Sequence, residues 1–271
     1  MKKIGVLFLI VLFTNSMFSQ NVGQKGNSRI NYTDINGKKQ GKWIRKYAGG
    51  KIAYEAFFVN DKLVGKYKRY YKSGQLKLDV NYDKNSNGFA RLYWDTKKKM
   101  AEGNYVNTNI KDSVWNMYGT DGALMTKISY KHGIKDGKEI KYFRNGNKNE
   151  VLEWKNNIKD GVWDWYYETG KPRMKTHHKN GKRDGAFWFY HDNGLPYMTG
   201  RYKNDLKDGE WKFYTNKHKL IKTITFVNGR ATNQDELDDE MTKQIEEWEK
   251  MKGKIPEPTI ESIMPGGGYN R

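Results

Sequence analysis

The chain has 271 residues, with 50 Lys and Arg against 31 Asp and Glu, a formal net charge of +19, and no cysteine. That composition excludes disulfide frameworks, thiolate metal sites, iron–sulfur clusters and thiol nucleophiles. Mean hydropathy is −0.98, a value that with high net charge points towards disorder, but 19 Tyr, 11 Phe and 9 Trp supply rings that each bury about 150–250 Å², so a fold with an aromatic core is predicted.

The N-terminus reads as an export signal. Lys2 and Lys3 precede a ten-residue apolar run, Ile4 to Phe13, and small residues follow up to Ser19. A charged start, an apolar run of about 7–15 residues and a small-residue cut site describe a secretory signal peptide. The run is shorter than the roughly 20 residues a membrane span needs. Residues 1–19 are therefore expected to be removed, and the mature chain is expected to carry no transmembrane segment and to be periplasmic, outer-membrane-associated or secreted.

Residues 20–40 form an N-terminal segment, in which Tyr32-Thr33-Asp34-Ile35-Asn36-Gly37 looks like the end of a partial repeat unit. Full units start at Gly41, Gly65, Gly88, Ser113, Gly137, Gly161, Gly185 and Gly209, spaced 24, 23, 25, 24, 24, 24 and 24 residues apart. Eight units thus fill 41–231. Counting each start as position 0, position 5 is Tyr70, Tyr93, Tyr118, Tyr142, Tyr166, Tyr190 or Tyr214, with Lys46 in the first unit. Position 17 is Phe58, Tyr82, Tyr105, Tyr130, Trp154, His178, Tyr202 or Phe226. Position 2 is Trp43, Tyr67, Trp115, Trp163, Phe187 or Trp211, replaced by Ala90 and Glu139 in units three and five.

Each unit reads as a β-hairpin. Segments such as Val162-Trp163-Asp164-Trp165-Tyr166 suit a pleated surface. Gly74, Gly122, Gly146, Gly170 and Gly194 mark a turn inside the unit, and Asn180-Gly181 or Asn228-Gly229 mark a second that closes it, because tight hairpin turns need positive φ. Sixteen strands spaced about 4.8 Å apart make an elongated sheet of roughly 75 Å. One unit cannot bury its rings alone; stacking on neighbours solves that.

The pattern Gly-x-Trp-x-x-Tyr, then Gly, then Tyr-x-x-Gly/Asn resembles the MORN-variant repeat. It departs at Ser113, which replaces a start glycine, and in unit three, which lacks both the Trp and the mid-unit Gly. The resemblance implies an all-β, elongated antiparallel sheet used for protein or membrane contact. It also implies the antitoxin label that many bacterial sequences with this repeat carry.

After Ala231 the repeat stops. Asn233 and Glu236 have capping-box spacing, and Leu237, Met241, Ile245 and Trp248 recur at helical spacing. An amphipathic helix is expected within 232–252, covering the open edge and last aromatic row of the sheet. Pro256, Pro258 and Gly266-Gly267-Gly268 mark a flexible tail over 253–271. The helix and tail are acidic and the repeat body is strongly basic.

The search for chemistry yields no phosphate loop, His-Glu-x-x-His or nucleophile elbow. His177 and His178 are adjacent, so on a strand they point to opposite faces, and His178 belongs to the aromatic column. Asp136, Asp160, Asp184 and Asp208 each precede a repeat glycine and are expected to accept backbone hydrogen bonds in turns. Identical groups about 10 Å apart along a sheet do not converge as a catalytic site requires. The reading is therefore non-enzymatic, with no catalytic, cofactor-binding or metal-binding residue and no cofactor.

The expected function is an exported protein–protein interaction or scaffold module of the cell envelope. Its candidate surface is the aromatic row around Tyr166, Trp188 and Tyr190. The alternatives are an antitoxin-like neutralising protein and a binder of anionic glycan or lipid surfaces. Aromatic and basic residues interleave in a way that suits single-stranded nucleic acid, but export argues against a nucleic-acid partner.

Overall fold

The computed structural model describes residues 29–251. The expected signal peptide at 1–19 and tail at 253–271 lie outside the described residues. The described chain forms one open sheet of 20 antiparallel strands followed by one helix, Gln234–Met251. Four strands are two-residue pieces: Tyr32–Thr33, Lys62–Leu63, Lys182–Arg183 and Arg230–Ala231. The other sixteen pair in chain order as a meander, two for each predicted unit. Each unit is thus one rung of two strands. The position-5 tyrosines end the first strand of their rungs, as Tyr166 ends Ile158–Tyr166 and Tyr190 ends Gly185–Tyr190.

Rungs are joined by two-residue turns in which both central residues have positive φ: 50° and 64° at Asn156-Asn157, 50° and 85° at Asn180-Gly181, 50° and 69° at Asn204-Asp205. This is the hairpin geometry whose twist matches that of the flanking strands. Successive turns are then tied together. The N–H groups of Asn157, Gly181, Asp205 and Gly229 donate to the carbonyls of Lys135, Lys159, Arg183 and Lys207, at 2.8–2.9 Å. Three of the predicted turn carboxylates join this edge: Asp136, Asp160 and Asp184 accept the N–H of Asn156, Asn180 and Asn204, twenty residues further on. Their bonds therefore link turn to turn and do not close the turn in which they sit.

The irregular spacings have local causes. The strand that begins a rung normally carries a bulge at the repeat glycine, seen as a register shift such as that between Thr199 and Arg201. Between Asn81 and Gly88 there is no shift. A loop closed by Asp83 N–H to Asn87 O replaces turn and bulge, and that rung starts one residue early. The next turn holds Asn107, Thr108 and Asn109 between the paired residues Val106 and Ile110, which restores the count. Ser113 takes the left-handed conformation of the glycine it replaces, with φ 58°.

The core lies on one face. Its buried residues sit mainly at positions 2, 13, 15 and 17, in two clusters: Val80, Tyr82, Ala90, Ala101, Trp115 and Ile128, then Phe187, Tyr202 and Trp211. Rings of positions 2 and 17 meet within a hairpin, with centroids 5.4 Å apart for Phe187 and Tyr202, and from one rung to the next, 4.8 Å apart for Tyr105 and Trp115.

The helix forms but does not cover the last row as expected. Met241, Ile245 and Trp248 are 63%, 46% and 66% exposed. The end of the sheet is closed instead by the returning chain. Arg230–Ala231 pairs with Phe226 and Val227, Thr232 N–H donates to Thr225 O, and Ala231 is buried. That two-residue strand satisfies part of the edge with backbone bonds and leaves the helix no ring to cap there.

Candidate interaction surface

Strand alternation assigns every rung side chain to one of two faces. Position 2 and position 17 rings fill the core face, and above them lies a row of cations unassigned by the sequence reading. The residue two before the repeat start is Lys39, Lys111, Lys135, Lys159, Arg183 or Lys207 in six rungs. Lys159 Nζ stands 4.6 Å from the Trp163 ring centre, Arg183 4.0 Å from Tyr202, and Lys207 4.7 Å from both Trp211 and Phe226. Each head group sits over ring faces that attract positive charge. Burial, with Lys135 nearby, pulls the Lys111 ammonium below its usual pKa; burial, with Arg183 nearby, does the same at Lys207. The signal was present in the sequence as a recurring Lys/Arg-Asp-Gly, of which only the Asp and Gly had a stated role.

The fifth rung sets two carboxylates, Glu139 and Glu150, against indole N–H groups. Glu139 occupies position 2 and accepts from Trp154 Nε1 at 2.9 Å and from Lys135 Nζ at 3.0 Å. Glu150 accepts from Trp163 Nε1 at 2.6 Å, Trp165 Nε1 at 3.0 Å and Lys141 Nζ at 2.6 Å. Burial pushes the Glu150 carboxyl up, but Lys141 and the two indoles outweigh it and hold it below the ordinary range.

The residues singled out from sequence stand on the opposite face. Tyr166 and Tyr190 occupy equivalent places in adjacent rungs, and Trp188 pairs with Lys175 and Thr199. All three are half-buried. The element they share was missed: Asp164 lies on the same face, its Oδ2 3.5 Å from the Tyr166 hydroxyl, and its charge helps raise the Tyr190 phenol after burial. Burial raises the Asp164 carboxyl itself, against the pull of Lys175 and His177. The arrangement is a patch of two phenols and an indole around a partly desolvated carboxylate, able to offer hydrogen bonds and flat apolar area to a partner. His177 is exposed and His178 is 7% exposed, so the two imidazoles do point apart.

A further row marks the turn edge. Lys131, Lys155, Lys179 and Lys203 occupy one position in four consecutive rungs and are all exposed.

Residues 39–60, 63–84 and 159–180 match the family described as the MORN repeat variant. The chain carries MORN-variant repeats. Each matched segment starts two residues before a repeat glycine, so the MORN-variant unit includes the place of the ring-covering cation. Among solved structures, the crystal structure of TcdB2-TccC3-TEV contains a chain similar at 11% identity over 74% of this protein, with a TM-score of 0.23. The present chain spans 14% of that chain's length. No curated protein matches.

Proposed function

We propose that this MORN-variant protein is an exported, non-enzymatic interaction module of the cell envelope that holds a protein partner along its rungs. The observation that carries the reading is the repetition of one hairpin unit over eight rungs about 10 Å apart. Such a row offers many equivalent weak contacts, which add through effective concentration. The Lys2-Lys3 start and the Ile4–Phe13 run support export. The Tyr166, Trp188 and Tyr190 patch around Asp164 is the best contact point for a protein, since aromatic residues dominate interface energetics.

Fractionation of cells followed by crosslinking tests it. The expected result is mature protein, shortened at its N-terminus, in an envelope fraction with a defined crosslinked neighbour that is lost in Tyr166→Ala/Trp188→Ala. A full-length cytoplasmic protein, or no neighbour under any crosslinker, overturns it.

The exposed lysine row favours one second reading, an anionic glycan or lipid surface. Four cations in register at about 10 Å intervals suit a regularly charged polymer or headgroup layer. Binding to acidic vesicles or anionic cell-wall polymer that disappears in high salt supports this reading; a crosslinked protein neighbour without any such binding returns the first.

A further inference from the structure

The C-terminal helix is acidic and apolar in a pattern the sheet can answer. Its 18 residues contain eight Asp and Glu against two Lys. Met241, Ile245 and Trp248, at spacings of four and three, lie on one stripe, and all three are exposed. A Trp that is 66% exposed on an otherwise charged helix lacks a counterpart in its own rungs.

The opposite charge and a matching apolar floor occur at the other end of the sheet. On the face away from the core, two shallow depressions that share Lys66 and Lys68 as lining form a groove across the first three rungs, the first of them about 460 Å³. Phe57 and Phe89, 45% and 42% exposed, lie along it. Lys42, Lys66, Lys68 and Arg91 surround them. Glu55 and Asp79 also line it; Glu55 lies 3.7 Å from Lys42. The net charge of the groove is positive.

The dimensions agree. Phe57 and Phe89 sit three strand spacings apart, about 14 Å. Met241 to Trp248 spans seven residues, about 10 Å of helix. A helix crossing the strands therefore sets its apolar stripe between the two rings and its carboxylates among the four cations.

The groove cannot belong to the same molecule. Eleven strand spacings, about 53 Å, separate the strand of Phe89 from the strand Leu220–Val227 that precedes the helix. The whole helix is about 27 Å long and follows Ala231 after two residues. We infer that the helix Gln234–Met251 of one copy docks in the Phe57–Phe89 groove of a second copy, joining the C-terminal end of one sheet to the N-terminal end of another. The contact is heterologous, so it closes a pair if two copies exchange helices and extends a chain if they do not.

Light scattering and sedimentation of the signal-free chain over a wide concentration range test the proposal. The wild type is expected to gain mass with concentration. Ile245→Asp/Trp248→Asp and Lys66→Glu/Lys68→Glu are each expected to weaken association at least tenfold, and high salt to weaken it further. An equimolar mixture of the two variants keeps one intact groove and one intact helix, and is expected to recover association, which also proves both variants folded. A wild type that stays monomeric throughout overturns the inference. So does association unaffected by either double substitution, or monomeric wild type in which amide exchange shows the helix protected.

Discussion

The indole face of Trp211 lies directly over the α-carbon of Gly200, in the neighbouring strand, so closely that a methyl group there would overlap three of its ring atoms. Trp211 is fully buried, and the hole it fills is the side chain Gly200 lacks. The same relation recurs four rungs earlier, where a methyl on Gly103 would come within 2.5 Å of Trp115. Both glycines occupy position 15, which elsewhere holds Ala56, Val80, Ile128, Leu152, Thr176 or Ile224.

This contact predicts a strong size limit. Gly200→Ala and Gly103→Ala should each destabilise the protein by about 1–3 kcal/mol through overpacking, measured by urea unfolding. In a Trp211→Leu background the Gly200→Ala cost should shrink, a coupling read from a double-mutant cycle. A cost unchanged in that background would place the strain elsewhere.

The cation row makes a prediction that separates charge from coverage. Lys159→Met keeps most of the chain over Trp163 and removes only the charge, at an expected cost of about 0.5–1 kcal/mol. Lys159→Ala should cost more, because the stem that shields the ring is lost as well. Equal effects would mean that the charge contributes little.

Glu150 links three donors, and its protonation state should therefore register in stability. Its folded pKa lies below the ordinary value, so the stabilisation it provides is complete above the ordinary carboxylate pKa and is lost as pH falls through the folded one. Glu150→Gln should lower stability at neutral pH by about 1–2 kcal/mol and remove that part of the acid dependence. Unfolding curves of both proteins between neutral and acid pH check it.

Asp164 carries the opposite sign. Burial raises its folded pKa, so the folded state favours the protonated form. That preference contributes stability below the ordinary carboxylate pKa, and it is lost as pH rises through the folded one. Asp164→Asn should consequently raise Tm at neutral pH, by roughly 1–3 °C for a domain of this size, and should flatten the pH dependence. A lower Tm would mean that the attraction of Lys175 and His177 outweighs desolvation.

Much of the architecture was legible because a repeat must solve one burial problem eight times. Rings at positions 2 and 17 recur since each rung packs on the next, and Asn-Gly or Asn-Asp recurs since the turn demands positive φ at two residues. Even the exceptions keep that geometry, as Ser113 adopts the conformation of the glycine it replaces. The candidate surface was legible only as a density of aromatics. Asp164 between Tyr166 and Tyr190 does not stand out in a chain with many single carboxylates.

The sequence by itself determined the period, the sixteen long strands and the places of the two turns, because a repeat's periodicity and its turn chemistry are local. The tertiary structure alone decided contacts between rungs: which lysine covers which ring, which carboxylate ties one turn to the next, and that Trp211 needs Gly200. It also left the helix uncovered, since the return of Arg230–Ala231 already closes the last row. Those outcomes depend on distances between side chains, and a linear pattern carries no distance until the strands are in register.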